Sequence, residues 1–362
     1  MKAAVLYGIN EPLQIKDLQQ GPPKRGEVRV KMGAAGVCAS DHHVMTGSAV
    51  LPLPVVVGHE GSGTVTEIGD GVQRVKPGDR CILSFVSNCG HCTMCRIGNP
   101  HLCDTNMLTG AAQYDGSLRL FDGDTGIYQM AKLGVFSESV VIPEQACFVM
   151  AEGVSMEAGA LIGCCVTTGV GAVINSPSAR PGMTVAVFGC GGVGLNVIQG
   201  AKLMNASRII AVDVYDHKLE FSYKFGATDV INSREADPVE AIKEITGSGV
   251  DMAFDSFGSA STTSATVLAL RKNGVAVLIG LAPVGDTAPI NMVDLLRNQK
   301  TLIGSYYGSA SPHESFKTIE KLYLKGELVV DSLVTRRYKL DQINEGFAAL
   351  DRGEDGRGII IY

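Results

Sequence analysis

The sequence predicts an α/β protein in two parts, a β-rich region followed by a doubly wound parallel sheet. Three observations carry this. The hydrophobic rhythm changes near residue 180, a glycine-rich turn follows the first buried strand beyond that change, and four cysteines crowd one loop of the β-rich region. A chain of 362 residues is long enough to fill two separate cores.

From residue 1 to about 150 the chain is rich in glycine, proline and short alternating runs. Glu27-Val28-Arg29-Val30-Lys31-Met32 alternates strictly, as a half-buried strand does, and Gly63-Thr64-Val65-Thr66-Glu67-Ile68-Gly69 repeats the pattern. Lys76-Pro77-Gly78-Asp79 reads as a turn between such runs. This part is expected to be antiparallel and all-β. Beyond residue 180, strand and helix alternate. Thr184-Val185-Ala186-Val187-Phe188 is nearly continuous in apolar residues, like a strand buried on both faces. Runs at 208–213, 251–255, 274–279 and 301–306 continue the series, with helices between them such as 216–225, stopped by Gly226. That alternation predicts a parallel, doubly wound sheet. The closing segment 356–362 reads as a strand returning to the first part.

Cys89, Cys92, Cys95 and Cys103 form the run Cys-x2-Cys-x2-Cys-x7-Cys. Such dense thiols suit a tetrahedral zinc ion, with sulfurs converging to about 2.3 Å. Gly90 and Gly98 give the backbone freedom for the wrap. Two disulfides could use the same residues, but that reading wants an oxidising compartment and usually a short chain. A site with four sulfur ligands has no open position, so this zinc is expected to be structural.

Composition narrows the classes further. A net charge of −6 argues against a polyanion-binding surface, hence against nucleic acid and against reading the cysteine loop as a nucleic-acid zinc ribbon. The apolar start is too short for a signal peptide. No run of 18 apolar residues suggests a membrane span. Ten cysteines then sit most easily in a reducing cytosol, and a cytoplasmic location is expected. Cys81, Cys147, Cys165 and Cys190 read as small core hydrophobes.

Gly189-Cys190-Gly191-Gly192-Val193-Gly194 follows the strand ending at Phe188 and opens a helix from Val193. Gly189 permits the tight turn, Gly191 lets the backbone approach a pyrophosphate, and Gly194 lets helix and strand pack closely. Asp213 ends the second strand about 20 residues on, where a carboxylate accepts both ribose hydroxyls of NAD and repels the 2′-phosphate of NADP. An ordinary strand-end cap is the alternative for Asp213. NAD is the expected coenzyme.

Cys38-Ala39-Ser40-Asp41-His42-His43, Gly58-His59-Glu60 and Gly163-Cys164 hold further metal-ligating types. Spread so widely, they cannot be paired by spacing, and a lone buried cysteine or histidine is more often structural. Taken together and in this order, however, they resemble the zinc-dependent medium-chain alcohol dehydrogenases, and the resemblance covers essentially the whole chain. It implies a GroES-like catalytic domain from residues 1–165, completed by 308–362, and a Rossmann NAD-binding domain over 166–307, with the active site in the cleft.

By the same resemblance, Cys38, His59 and Cys164 are the protein ligands of a catalytic zinc, with a fourth position open to water or alcohol. Glu60 lies behind that metal, and Asp41 hydrogen-bonds His59 and fixes its tautomer. Two zinc ions per chain follow, one catalytic and one structural. Ser40 would hold the alcohol proton and His43 would carry it to solvent. Thr168 and Val193 match residues that pack on the nicotinamide. Lys218 matches one that reaches the adenosine ribose, and Arg357 one that reaches the pyrophosphate. Phe85, Met130 and Ala131 match lining positions of the substrate pocket, where Ala131 leaves room for medium-chain or bulky primary alcohols.

Two departures matter. Many relatives carry a basic residue directly after the first zinc cysteine, to grip the pyrophosphate, and this chain has Ala39. The glutathione-dependent formaldehyde branch uses charged residues where this chain has Gly47 and Met107, and it usually lacks the histidine found here at His43. The resemblance therefore implies oxidation of a neutral primary alcohol to its aldehyde, or the reverse, with hydride transfer to NAD. A glutathione-dependent formaldehyde dehydrogenase or dismutase and a reductase of conjugated aldehydes are the enzymatic alternatives. A non-catalytic NAD-binding protein is the alternative from another class. The segment 301–307 would leave an apolar sheet edge open to a second chain. A homodimer is expected, with a homotetramer as the alternative.

Overall fold

The computed structural model describes residues 1–362 except Pro177 and Asp355, and the side chain of Met107 also lies outside the described residues. The comparison made at Met107 therefore has no structural counterpart. The chain forms two compact units, Met1–Cys164 with Ser311–Tyr362, and Cys165–Ala310.

The second unit is the doubly wound sheet that the alternating rhythm predicts. Its strands lie in the order Asp229–Asn232, Arg208–Asp213, Thr184–Phe188, Val250–Asp255, Leu270–Leu278 and Thr301–Gly304. Every neighbouring pair is parallel. Val185, Ala186 and Val187 are fully buried, because the central strand is covered on both faces. The first strand of the unit, Thr184–Phe188, has the second on one side and the fourth on the other. The winding therefore reverses at its carboxyl end, where open sheets of this kind place their ligands. Asp229–Asn232 was not anticipated. Four residues with Asp and Asn at the ends carry no apolar alternation.

Two sheets make up the first unit. In the larger, Glu27–Gly36 pairs with Gly61–Ile68 and Ser139–Pro143, and the tail strand Arg357–Ile361 returns to it antiparallel, with Ile359 opposite Gly36. Val28, Val30, Leu83, Phe136, Val140 and Ile360 form part of its core. The expectation of an antiparallel, all-β part needs correction. Within residues 1–150, Val55–Val56 runs parallel to Thr125–Gln129; in the C-terminal part of the same unit, Val334–Tyr338 runs parallel to Arg357–Ile361. The second pair is joined through the helix Ile343–Asp351, since parallel neighbours need a crossover connection. Helices Ala39–Met45 and Pro312–Leu324 also belong to this unit.

One helical stretch, Met156–Ile174, is long and apolar enough to cross a membrane by length and composition, yet 83% of that window is buried inside the protein. It is a core helix. Its middle, Ile162–Val166, is a π-helical turn, a local widening of the helix that is frequent at functional sites.

Candidate metal centres and coenzyme loop

Three distant segments of the first unit meet at Cys38, at His59 with Glu60, and at Cys164. Their ligand atoms all lie within 4.8 Å of one another, and all four residues are buried. Cys38 is the N-cap of the helix Ala39–Met45, so its backbone is extended while the next turn begins. Gly58 has φ +101, and a Cβ there would stand 2.9 Å from the Phe136 nitrogen. Only glycine fits, and the tight approach fixes where His59 emerges. Cys164 sits in the π-helical turn, behind Gly163, whose absent Cβ would meet the Leu83 carbonyl at 2.7 Å. The Cys164 sulfur lies 3.4 Å from His59 Nε2.

Asp41, fully buried, accepts from Gly58 N at 3.0 Å and lies 2.8 Å from His59 Nδ1, both on Oδ1. That pairing places the His59 proton on Nδ1 and turns the Nε2 lone pair toward the two sulfurs. Phe85 meets the same imidazole edge-on, with ring centres 5.4 Å apart. Glu60 pairs with Arg357, itself buried on the returning tail strand. Met130 and Phe85 both pack against the core of this unit. Ser40 and His43 share the helix with Asp41, and His43 Nδ1 has no hydrogen-bond partner among the described residues.

The electrostatics point to a cation at this set. The neighbouring Cys164 thiol, against the cost of burial, holds Cys38 well below the ordinary thiol range, with His59 and Arg357 adding to the effect. Burial pushes Glu60 up to about 7, and Arg357 opposes that shift. Burial also opposes a charge on His59, yet Asp41 and Cys38 together raise it well above its usual value. Among the described residues, Glu60 Oε1 and Asp41 Oδ2 are buried without a hydrogen-bond partner. Two sulfurs and one imidazole nitrogen form an open zinc set of the kind found in dehydrogenases, so the donor chemistry fits a divalent ion.

The loop cysteines form the second group, again with ligand atoms within 4.8 Å of one another. No disulfide joins them. The Cys92 and Cys103 sulfurs are 3.9 Å apart. Backbone N–H groups of Cys92 and His91 donate to the Cys89 sulfur at 3.3 and 3.4 Å, and Thr105 Oγ1 donates at 3.3 Å. Donors converging on sulfur favour thiolates, the form that binds metal. Gly90 and Gly98, at φ +80 and +89, supply the left-handed turns.

In the second unit, Gly189 turns the chain at φ +92 and Gly192–Leu203 begins the helix that carries Val193. A Cβ at Gly194 would stand 1.8 Å from the Gly189 carbonyl, so close packing demands glycine there. Nothing lies within 4 Å of a Cβ at Gly191, which leaves that face open. Asp213 is fixed through both oxygens: Oδ2 accepts from Cys190 N at 2.7 Å, and Oδ1 from Val214 N at 2.8 Å and Tyr215 N at 3.1 Å. Lys218 places its ammonium 5.2 Å from the centre of the Tyr215 ring. Helix Thr167–Ile174, with Thr168 in its first turn, packs against Gly192–Leu203 where Gly169 would meet the Val193 carbonyl at 2.4 Å.

Two features escaped the sequence reading. Arg234 also lies over Tyr215, 4.8 Å from its centre. Lys132 is buried behind the cysteine loop. A single lysine or arginine between loops reads as solvated surface charge, so neither carried a signal.

Residues 24–152 match the family model "Alcohol dehydrogenase GroES-like domain", and residues 192–325 match "Zinc-binding dehydrogenase". Alcohol dehydrogenase B of Mycobacterium tuberculosis is 35% identical over 368 residues, covering 100% of this chain and 98% of its own. The benzyl alcohol dehydrogenase of Acinetobacter calcoaceticus superposes with a TM-score of 0.94 at 34% identity, covering 99% of this chain and 98% of its own. An alcohol dehydrogenase zinc-binding domain protein from Burkholderia ambifaria gives a TM-score of 0.94 at 32% identity, with the same coverage. With both halves matched by family models and these relatives aligned over 99–100% of the chain, the chain belongs to the zinc-dependent medium-chain alcohol dehydrogenase family.

Proposed function

We propose that this protein oxidises a neutral, medium-chain or bulky primary alcohol to the aldehyde, or runs the reverse, with NAD as coenzyme. The observation that carries the reading is the buried meeting of Cys38, His59 and Cys164, with Asp41 beneath the imidazole. Zinc held by those three side chains would act as a Lewis acid on the alcohol oxygen, and NAD would accept the hydride. Asp41 keeps the His59 proton on Nδ1, so that Nε2 stays a donor to metal. Ser40 holds the hydroxyl proton of the alcohol, and His43 passes it on. Burial lowers His43 below its ordinary range, so the imidazole is neutral and ready to accept at neutral pH.

Asp213 supports NAD over NADP. Its carboxylate cannot swing away from a 2′-phosphate, because three backbone N–H groups hold it. Gly191 and Gly192 leave the pyrophosphate room, Thr168 and Val193 pack on the nicotinamide, and Lys218 and Arg357 contribute charge at the ribose and pyrophosphate. The cysteine loop holds the structural zinc and requires a reducing compartment for its thiolates. The similarity to a benzyl alcohol dehydrogenase and the small Ala131 side chain support a bulky substrate. The assembly is a homodimer.

Replacing Cys164 with Ser tests the reading. Zinc is expected to fall from two ions per chain to one, with alcohol oxidation dropping at least about 100-fold while the fold persists. Unchanged oxidation in a folded Cys164→Ser protein would end it. Within the wild type, benzyl alcohol and hexanol are expected to give higher kcat/KM than ethanol, and glutathione is expected to add nothing to formaldehyde oxidation.

A further inference from the structure

Lys132 is 1% exposed, and the chemistry above does not use it. Its φ is +63 and that of Ala131 is +53. Two successive residues with side chains in the left-handed region are disfavoured, so other contacts must hold the segment there. The ammonium donates to the carbonyls of Asn106 at 2.7 Å and Gly110 at 2.9 Å, and stands 5.3 Å from the centre of the Tyr114 ring. Both carbonyls belong to the stretch that leaves Cys103. From the same stretch, Gln113 Nε2 donates back to the Lys132 carbonyl at 3.2 Å, and the Ala111 carbonyl accepts from Gln129 N at 3.0 Å. The entry side of the loop is tied in too. Ser87 Oγ donates to Asn106 Oδ1 at 3.1 Å, and the Tyr114 hydroxyl donates to Ser87 Oγ at 3.0 Å.

Charge points the same way. Four thiolates around a divalent ion carry surplus negative charge, and Cys103 is the one buried member of the four. A buried charge is retained when an opposite charge is at hand. Burial pushes the Lys132 ammonium down to about 8, and the charge of Cys103 opposes that shift.

We propose that Lys132 is a positioning residue of the four-cysteine centre, which fastens the chain after Cys103 and supplies the buried positive charge that helps the loop retain its metal. The proposal rests on the reading that this loop holds zinc. The test uses the full chain carrying Cys164→Ser, which leaves the cysteine loop as the loaded centre. A zinc-to-protein ratio near zero in that protein overturns the loop-zinc reading itself, before Lys132 is touched. With a ratio near one, zinc release to a chromogenic chelator is followed after adding Lys132→Met or Lys132→Gly. Loss of a side chain behind a metal ligand commonly weakens metal binding 10- to 100-fold, so release is expected to speed by about tenfold or more in both. Glycine is the residue that the left-handed backbone prefers. Lys132→Gly therefore separates metal retention from general structural support, with circular dichroism confirming the fold. A folded Lys132→Gly protein that kept zinc as long as its parent would overturn the proposal.

Discussion

Ala39 is exposed in the first turn of the helix that carries Ser40, Asp41 and His43. The family resemblance implies a basic side chain directly after the first zinc cysteine, where it would hold the coenzyme pyrophosphate. A charge-assisted hydrogen bond of that kind contributes about 1.5–3 kcal/mol. Lacking it, this protein is expected to release NADH quickly, and release often limits turnover in enzymes whose chemistry is fast. Introducing Ala39→Arg should slow NADH release by roughly 10- to 100-fold in stopped-flow fluorescence and lower kcat where release limits it. Equal off-rates in the two proteins would show that nothing at this position touches the phosphates. A neighbouring residue carries the opposite lesson. Asp41 binds no substrate, yet its one carboxylate oxygen serves both Gly58 N and His59 Nδ1, so a single group orients the turn and the ligand together.

At the level of elements, the meeting of Cys38, His59 and Cys164 depends on backbone shapes that only glycine or a widened helix allows. Gly58 shows this best. Its φ of +101 and the nearby Phe136 nitrogen leave no room for a methyl group. Gly58→Ala must shift a turn whose N–H is already bound to Asp41, at a cost of about 1–3 kcal/mol. A lower urea midpoint is expected, together with zinc content falling from two ions per chain toward one. A variant that kept both its midpoint and its zinc would mean that His59 is not positioned by this turn. Such shapes explain which parts were legible beforehand. The four loop cysteines announce themselves because all the ligands are close in sequence. The 189–194 turn does so because one strand and one helix suffice to interpret it. Cys164 and His59 are 105 residues apart, and no spacing pairs them. Only the family resemblance brought them together. The two parallel pairs in the β-rich unit were also hidden, since strand partners depend on long-range register that alternation alone does not specify. The anchoring of the tail strand was legible as an apolar run, but not the burial of Arg357 against Glu60.

On the scale of the whole molecule, the exposed apolar surface of the second unit argues for assembly. Thr301–Gly304 is the edge strand of the parallel sheet, half exposed along its length. The helix before it, Met292–Arg297, has no buried residue. Met292, Val293 and Leu296 are 81%, 59% and 80% exposed, and Val284 is 79% exposed. Large apolar side chains gathered next to an open strand edge are a liability for a lone chain, because the edge offers unpaired backbone groups to any other strand. A two-fold axis removes the liability. Paired edge to edge about such an axis, two copies would make the sheets continuous and cover the apolar helices with the same surface on each. A heterologous contact through this edge would leave one edge open and grow into fibres. Light scattering on the wild type is therefore expected to give the mass of two chains. Leu296→Glu and Met292→Glu together place charges in the centre of that contact, where leaving them unpaired costs several kcal/mol. The double variant should run as one chain while keeping its fold and both zinc ions. A wild-type protein that remained a single chain at micromolar concentration would overturn the dimer, and a double variant that stayed dimeric would place the contact elsewhere.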